Sequence, residues 1–315
     1  MPEAVSRRIA LVGAINRDTI RTADGVETES YGGLLYSILP LAAIVDDDAM
    51  VHPVVNVGED IREIVEDTLS PLARVSVAGI EFVPDKNTHC FLDYDEDGNK
   101  QETLLGGVPK LTVERLEPYL DGDAVVFNFI TGWELDLETL QTARQMSDAT
   151  FFMDVHSLSL GTDQEHRRYL RVPPEWEAWT ACADVVQMNE KEAELLAGHK
   201  LVDEVQRLTF GRRLIENGSS VAIVTLGEAG ADVIYVQDGD VQFHHSPSQP
   251  AGPPQDETGC GDVFLMGFAW SYLQDRNPLV AARFANVLAG INVTLRGLDA
   301  VRGIGEALEA RAESS

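Results

Sequence analysis

Basic side chains are scarce in this chain. Its 315 residues carry 24 lysines and arginines against 52 aspartates and glutamates, a formal net charge of −28. Lysine is scarcest, with five residues to nineteen arginines. A chain this acidic has no basic stripe for nucleic acid and is repelled by anionic membrane surfaces, so neither is an expected partner. Cysteine is nearly missing as well. Cys90, Cys182 and Cys260 are odd in number, far apart and without a Cys-x-x-Cys pair. That excludes a disulfide framework and a zinc knot, and it reads as reduced thiols in a cytoplasmic protein. Long apolar runs are also missing. Residues 9–15 form a run of seven that meets Asn16-Arg17-Asp18 at once, and the run 38–45 is interrupted by Pro40. Neither approaches a membrane span. The first follows Ser6-Arg7-Arg8 in the manner of a signal peptide but is read as a buried strand. Three nucleotide or nucleophile motifs are missing too: Gly-x-x-x-x-Gly-Lys-Ser/Thr, Gly-x-Gly-x-x-Gly after the first strand, and Gly-x-Ser-x-Gly. Their absence disfavours a Walker-type nucleotidase, a dinucleotide dehydrogenase and an α/β-hydrolase.

What is present is a foldable chain. A hydrophobic fraction of 44% is too high for an acidic disordered polymer, and the length buries a core without staples. The carboxylate excess fits either a surface adapted to high salt or an ordinary acidic cytosolic protein. Short β-branched or aromatic runs at 9–15, 54–57, 124–129, 151–154, 184–188 and 221–226 read as buried strands. Helical patterns alternate with them at 34–44, 61–69, 135–145, 190–196, 202–216, 261–273 and 278–294. This alternation predicts a mostly parallel sheet covered by helices. Two segments break the rhythm, 19–30 with Asp24-Gly25 and 88–105 with Asp97-Gly98. Asp-Gly between alternating residues is a hairpin signal, so these pieces are expected to pair into a small projecting sheet, used as a lid or as an edge-to-edge homodimer contact.

The most informative segment is Asp256-Glu257-Thr258-Gly259-Cys260-Gly261-Asp262-Val263-Phe264. Two glycines flank a small residue where a long apolar helix opens. Backbone N–H groups in such a turn point at one anion, and the helix dipole adds attraction. Asp262 falls in the first helical turn, where a carboxylate can take a proton from a hydroxyl attacking phosphorus. A plain reading, with glycines for a turn and an acid favouring a helix N-terminus, fits the same residues.

The segment resembles the C-terminal signature of the ribokinase-like (PfkB) carbohydrate kinases. The resemblance implies Asp262 as catalytic base and Gly259, Cys260 and Gly261 as an anion hole, Cys260 standing where alanine is usual. Other matches follow in family order over residues 9–298. Gly13-x-x-Asn16-x-Asp18 and the double glycine Gly32-Gly33 imply an acceptor site, Asp18 binding substrate hydroxyls. Val57-Gly58-x-Asp60 matches a further family step. Asn189-x-x-Glu192 implies magnesium and phosphate, Glu192 acting through water, although Asn followed three residues later by Glu is also a capping box. Thr225-x-Gly227-x-x-Gly230 and Asn286 imply the nucleotide pocket, and Asp256 implies a monovalent cation such as potassium, or else a cap beside the helix. The implied fold is a three-layer α/β/α kinase domain over 1–315, with its lid segments near 19–30 and 88–105.

Departures bear on the acceptor. Ser37 stands where many sugar kinases have Asn, and Asp154-Val155-His156-Ser157-Leu158 replaces Asp-x-Asn-x-Arg. Phe91 and Tyr94 are candidates to stack on a sugar or base. Trp176 and Trp179 read as core packing, and His244-His245 as part of a polar strand. The expectation is an ATP- and magnesium-dependent kinase of a small sugar or sugar derivative, with a nucleoside kinase as the alternative. A non-catalytic nucleotide or sugar sensor is the reading from another class, and the intact Asp262 with its glycine turn argues against it.

Overall fold

The computed structural model describes residues 7–313; Ser6 and the other terminal residues lie outside them. Nine strands form a central sheet in the spatial order Asp240–Pro247, Gly230–Gln237, Val221–Thr225, Val185–Asn189, Thr150–Asp154, Ala124–Asn128, Arg7–Val12, Ala49–Gly58 and Ile80–Val83. The seven from Val221–Thr225 to Ile80–Val83 are parallel, and the first two pair antiparallel. Alternation along each inner strand feeds two cores. Ile9, Leu11, Ala124 and Val126 face the layer built on helices Leu35–Ile44, Cys260–Asp275 and Pro278–Asn292. Ala10, Val12, Val125 and Phe127 face the layer containing Leu137–Gln145 and Glu204–Glu216. Two apolar faces on one sheet require helices on both sides, which is why the parallel strands read as continuous apolar runs.

The expected single strand over 9–15 is two strands. Gly13 and Ala14 carry the chain out of the central sheet, and Ile15–Arg21 begins a second one. A side chain at Gly13 would meet the Asn128 carbonyl and the Leu34 side chain, both at 2.8 Å. In the small sheet the order is Glu27–Gly33, Ile15–Arg21, His89–Tyr94, Lys100–Leu105. Each outer pair is a hairpin, and the two middle strands run parallel. A hairpin that the sequence did not announce, Leu160–Thr162 with Arg168–Leu170, reaches this sheet: the Leu104 N–H donates to the His166 carbonyl at 3.0 Å. The strands at 230–247 are joined by Asp238 and Gly239, both at positive φ, the tight hairpin turn that right-twisted strands favour. In that hairpin His245 lies against buried Asp232, 2.7 Å from Nδ1 to Oδ1. Trp176 is buried in the second core, with Trp179 packed against it. No described helix is long and apolar enough to cross a membrane.

Candidate active site

The helix Cys260–Asp275 starts from Gly259 in the left-handed conformation, φ 73°. Only glycine adopts this without a Cβ penalty, and here a Cβ would also strike the Tyr36 ring at 2.5 Å. The turn is braced from below. The Thr258 N–H donates to Asp256 Oδ1 at 2.9 Å, and Asn292 Nδ2 donates to the Thr258 carbonyl at 3.0 Å. Above the turn the space is open, since a Cβ on Gly261 would meet nothing of the protein nearer than Gln187 Nε2 at 3.9 Å. The first N–H groups of a helix have no intrahelical partner; here that of Cys260 turns back to the Glu257 carbonyl at 3.2 Å, and Gly261 lies at the opening. Asp262 lies in the first turn. Its Oδ1 accepts from Asn128 Nδ2 at 2.5 Å, and the same amide donates to Ser37 Oγ at 2.8 Å. Burial raises the Asp262 pKa, while the Asn128 hydrogen bond and the charge of His156 hold it down.

Carboxylates gather beside Asp262 at the carboxyl ends of neighbouring strands. Asp154, buried, accepts from Gln187 Nε2 at 3.1 Å, and that amide also donates to the Gly261 carbonyl at 2.9 Å. Burial and then the Glu192 charge raise the Asp154 pKa. His156 sits among these acids, its Nδ1 3.3 Å from Glu192 Oε1. Burial works against its charge, but the Glu192 hydrogen bond and the charges of Glu192, Asp154 and Asp262 outweigh it and push the imidazole up to about 9. The ring is half exposed. The surrounding carboxylates favour its charged form. The Asn189–Glu192 capping box is formed: Glu192 N–H to Asn189 Oδ1 at 3.0 Å, and Asn189 N–H to Glu192 Oε2 at 2.8 Å.

On the small sheet, Asp18 pairs with Ser30 and Cys90, and Asn16 pairs with Gly32. A Cβ on Gly32 would lie 2.5 Å from Asp18 Oδ2, and one on Gly33, φ 62°, 2.4 Å from the Ala14 carbonyl. Gly32 therefore leaves room beside the Asp18 carboxylate, and Gly33 lets the strand turn against the Ala14 carbonyl. Burial, and then the Glu102 charge, push Asp18 up to about 7. The register settles Phe91: it pairs with Thr19, so side-chain alternation puts it on the face opposite Asp18. There it stacks on His89, ring centroids 4.0 Å apart, and lies under the Arg21 guanidinium. Phe91 is packing, not an acceptor platform.

At the other end of the site, Thr225 closes its strand with Oγ1 3.5 Å from the Met188 carbonyl. Gly227 and Gly230 both have positive φ, and a Cβ on Gly230 would lie 2.2 Å from the Ser246 carbonyl. Asn286 is buried, its Nδ2 donating to Ser246 Oγ at 2.9 Å and to the Ser246 carbonyl at 3.1 Å; it ties helix Pro278–Asn292 to the strand beside Gly230.

Among the described residues no three His, Cys, Asp or Glu side chains form a metal cage. Both Glu192 oxygens are engaged by Asn189. These groups fit a magnesium ion held mainly by phosphates and water, with a carboxylate acting from the second layer. Beneath the turn, where Asp256 is expected to help hold a monovalent cation, the oxygens are engaged in part and, among the described residues, Asp256 Oδ2 is not among those engaged. Asp256 Oδ1 and the Thr258 carbonyl already accept N–H groups, and the Val293 carbonyl accepts two, from Gln255 and Asp256.

Three residues of this site escaped the sequence reading: Asn128, Gln187 and Tyr36. The first two left a signal, an amide within or at the end of an otherwise apolar buried strand, where an unpartnered polar group is costly. Tyr36, 8% exposed, touches both Gly259 and Gly32. Burial, and then the charges of Asp256, Asp18 and Asp262, push its phenol up to about 12, so it keeps its proton.

A model of the pfkB family carbohydrate kinases matches residues 131–301. A cytidine kinase of Thermococcus kodakarensis is 26% identical over 270 residues, covering 85% of this chain and 89% of that protein. Among solved structures, a ribokinase of Arabidopsis thaliana complexed with ribose and ATP superposes with a TM-score of 0.76 at 16% identity, covering 96% of this chain and 99% of that one. A pyrophosphate-dependent kinase of the ribokinase family, complexed with a pyrophosphate analogue and myo-inositol, gives 0.76 at 18% identity, with the same coverage. The family match spans more than half of the chain, and the whole described fold follows the ribokinase architecture. The chain therefore belongs to the pfkB family of carbohydrate kinases and is a sugar or nucleoside kinase.

Proposed function

We propose that the protein transfers the γ-phosphoryl group of ATP to a hydroxyl of a small sugar or sugar derivative, with Asp262 as general base. One observation carries this reading: a buried carboxylate stands in the first turn of a helix whose glycine-capped, open N-terminus is an anion site. Phosphoryl transfer needs positioning and charge stabilisation more than covalent chemistry. Asp18, with room left beside it by Gly32, binds acceptor hydroxyls together with Asn16. Asp262 takes the proton of the attacking hydroxyl. The amides of Gly259, Cys260 and Gly261 face the charge that develops on the phosphoryl oxygens. His156 adds a positive charge on the same side. Asn189 and Glu192 approach the phosphates, while Thr225, Gly227, Gly230 and the Asn286 region border the nucleoside end. Magnesium bound with the nucleotide would neutralise phosphate charge. The small sheet serves as the cover that keeps water from the reaction.

A nucleoside acceptor is the second reading, and the match to a cytidine kinase over 85% of this chain favours it. The two readings share the ribose hydroxyls that Asp18 would bind and differ in what lies beyond them. The test is acceptor-dependent ADP release over pentoses, hexoses, sugar acids and nucleosides, run beside Asp262→Asn. We expect one strong class of acceptor, and in the variant a turnover lower by about 10²–10⁴-fold, the usual worth of a positioned base, with ATP still raising its melting temperature. Near-normal turnover in Asp262→Asn would remove Asp262 from its role.

A further inference from the structure

Asn128 ends the strand Ala124–Asn128 near the middle of the central sheet and is 1% exposed. Both of its amide hydrogen bonds run to the site: Nδ2 to Asp262 Oδ1 at 2.5 Å and to Ser37 Oγ at 2.8 Å. Its Oδ1 is buried and has no partner. A bare buried acceptor costs stability, so the amide holds an orientation that serves the other two residues rather than itself. Asp262 has an alternative. Its own backbone N–H also reaches the carboxylate, and an acid in a first helical turn readily folds back over the free N–H groups there. That would turn the base away from the acceptor and cover donors needed by the phosphoryl group.

We propose that Asn128 is the positioning residue of the base. It keeps Asp262 Oδ1 from swinging further over its own helix terminus, aims it at the acceptor hydroxyl and shares that hold with Ser37 on the acceptor side. This rests on the reading of Asp262 as base. The other groups facing Asp262 are Asp154 and His156 from the end of the strand Thr150–Asp154 and the segment after it, Tyr36 from the helix Leu35–Ile44, and the Cys260 thiol from its own helix. Those contacts remain when Asn128 is changed. A donor to an ionised carboxylate favours the charged form, so its loss moves the ionisation of Asp262 to higher pH.

The experiment is single-turnover phosphoryl transfer against pH for the wild type, Asn128→Ala, the nearly isosteric Asn128→Asp, and Asp262→Asn. For Asn128→Ala we expect a rate lower by about 100-fold, the cost of misplacing a reacting group by about 1 Å, KM values for ATP and acceptor within about threefold, and an acidic limb displaced upward by about one pH unit. Asn128→Asp, which packs like the native residue and sets a second carboxyl against Asp262, should displace that limb further. A folded Asn128→Ala or Asn128→Asp with the wild-type rate and acidic limb, beside an inactive Asp262→Asn, overturns the proposal and leaves the base in place. An active Asp262→Asn overturns both.

Discussion

Gly259 shows how one residue can be fixed by two constraints. Its φ of 73° alone costs a substituted alanine about 1–2 kcal/mol, and the Tyr36 ring stands where the new methyl would go. Gly259→Ala should therefore lower both the denaturation midpoint and turnover. A variant with native stability and activity would show that the turn is not held as described. Asp18 costs the folded state stability at neutral pH. Its carboxyl is raised from 3.8 to about 7 by burial, so the folded state binds that proton more tightly than the unfolded chain. Native stability is therefore lost as pH rises from about 4 through about 7 and stays lost above. Asp18→Asn escapes that loss. Its melting temperature should gain on the wild type across this window and hold the gain at pH 8, while acceptor binding collapses. Equal melting curves at pH 8 would contradict the sign. Legibility at this scale follows contiguity. Asp262, Gly259 and Gly261 sit in nine consecutive residues and could be read together. Asn128 meets Asp262 across 134 positions, and nothing local marks such a pairing beyond a stray amide.

Elements were legible wherever a single periodicity ruled. The six inner strands and seven long helices were visible as apolar runs and helical stripes, because each buries one side or both against a neighbour. The edge strand Asp240–Pro247 was largely missed because most of its residues are polar and not buried, its buried neighbour Gly230–Gln237 was missed beside it, and the hairpin at 160–170 was missed because its strands are three residues each. The strand Glu27–Gly33, at the edge of that sheet, has its glutamates paired with arginines of the adjacent strand, Arg17 with Glu29 and Arg21 with Glu27. The capping box at Asn189 belongs to this scale as well. Asn189→Ala should cost about 1 kcal/mol in denaturant titration through loss of the cap on helix Glu190–Ala197. It should also raise the KM for ATP if the same side chain faces the phosphates. A stability loss with no change in KM would confine Asn189 to the helix.

At the scale of the molecule, a net charge of −28 repels itself and is screened only by salt. The Debye length shrinks from about 10 Å at 0.1 M to about 3 Å at 1 M, so the melting temperature should climb with sodium chloride over that range. A flat or falling profile would mean that the carboxylates are neutralised pairwise rather than by solvent ions. The sheet itself has a further consequence. Gly13, Asn128, Asp154, Asn189 and Thr225 stand at or just past the carboxyl ends of five strands that are consecutive neighbours in space. Four spacings of about 4.8 Å make roughly 19 Å, so the edge works as a ruler. In the proposed reaction, acceptor recognition would take one end, the phosphoryl group the middle and the nucleoside the other end. A donor that stopped at its second phosphate would leave the marks at Thr225 unread.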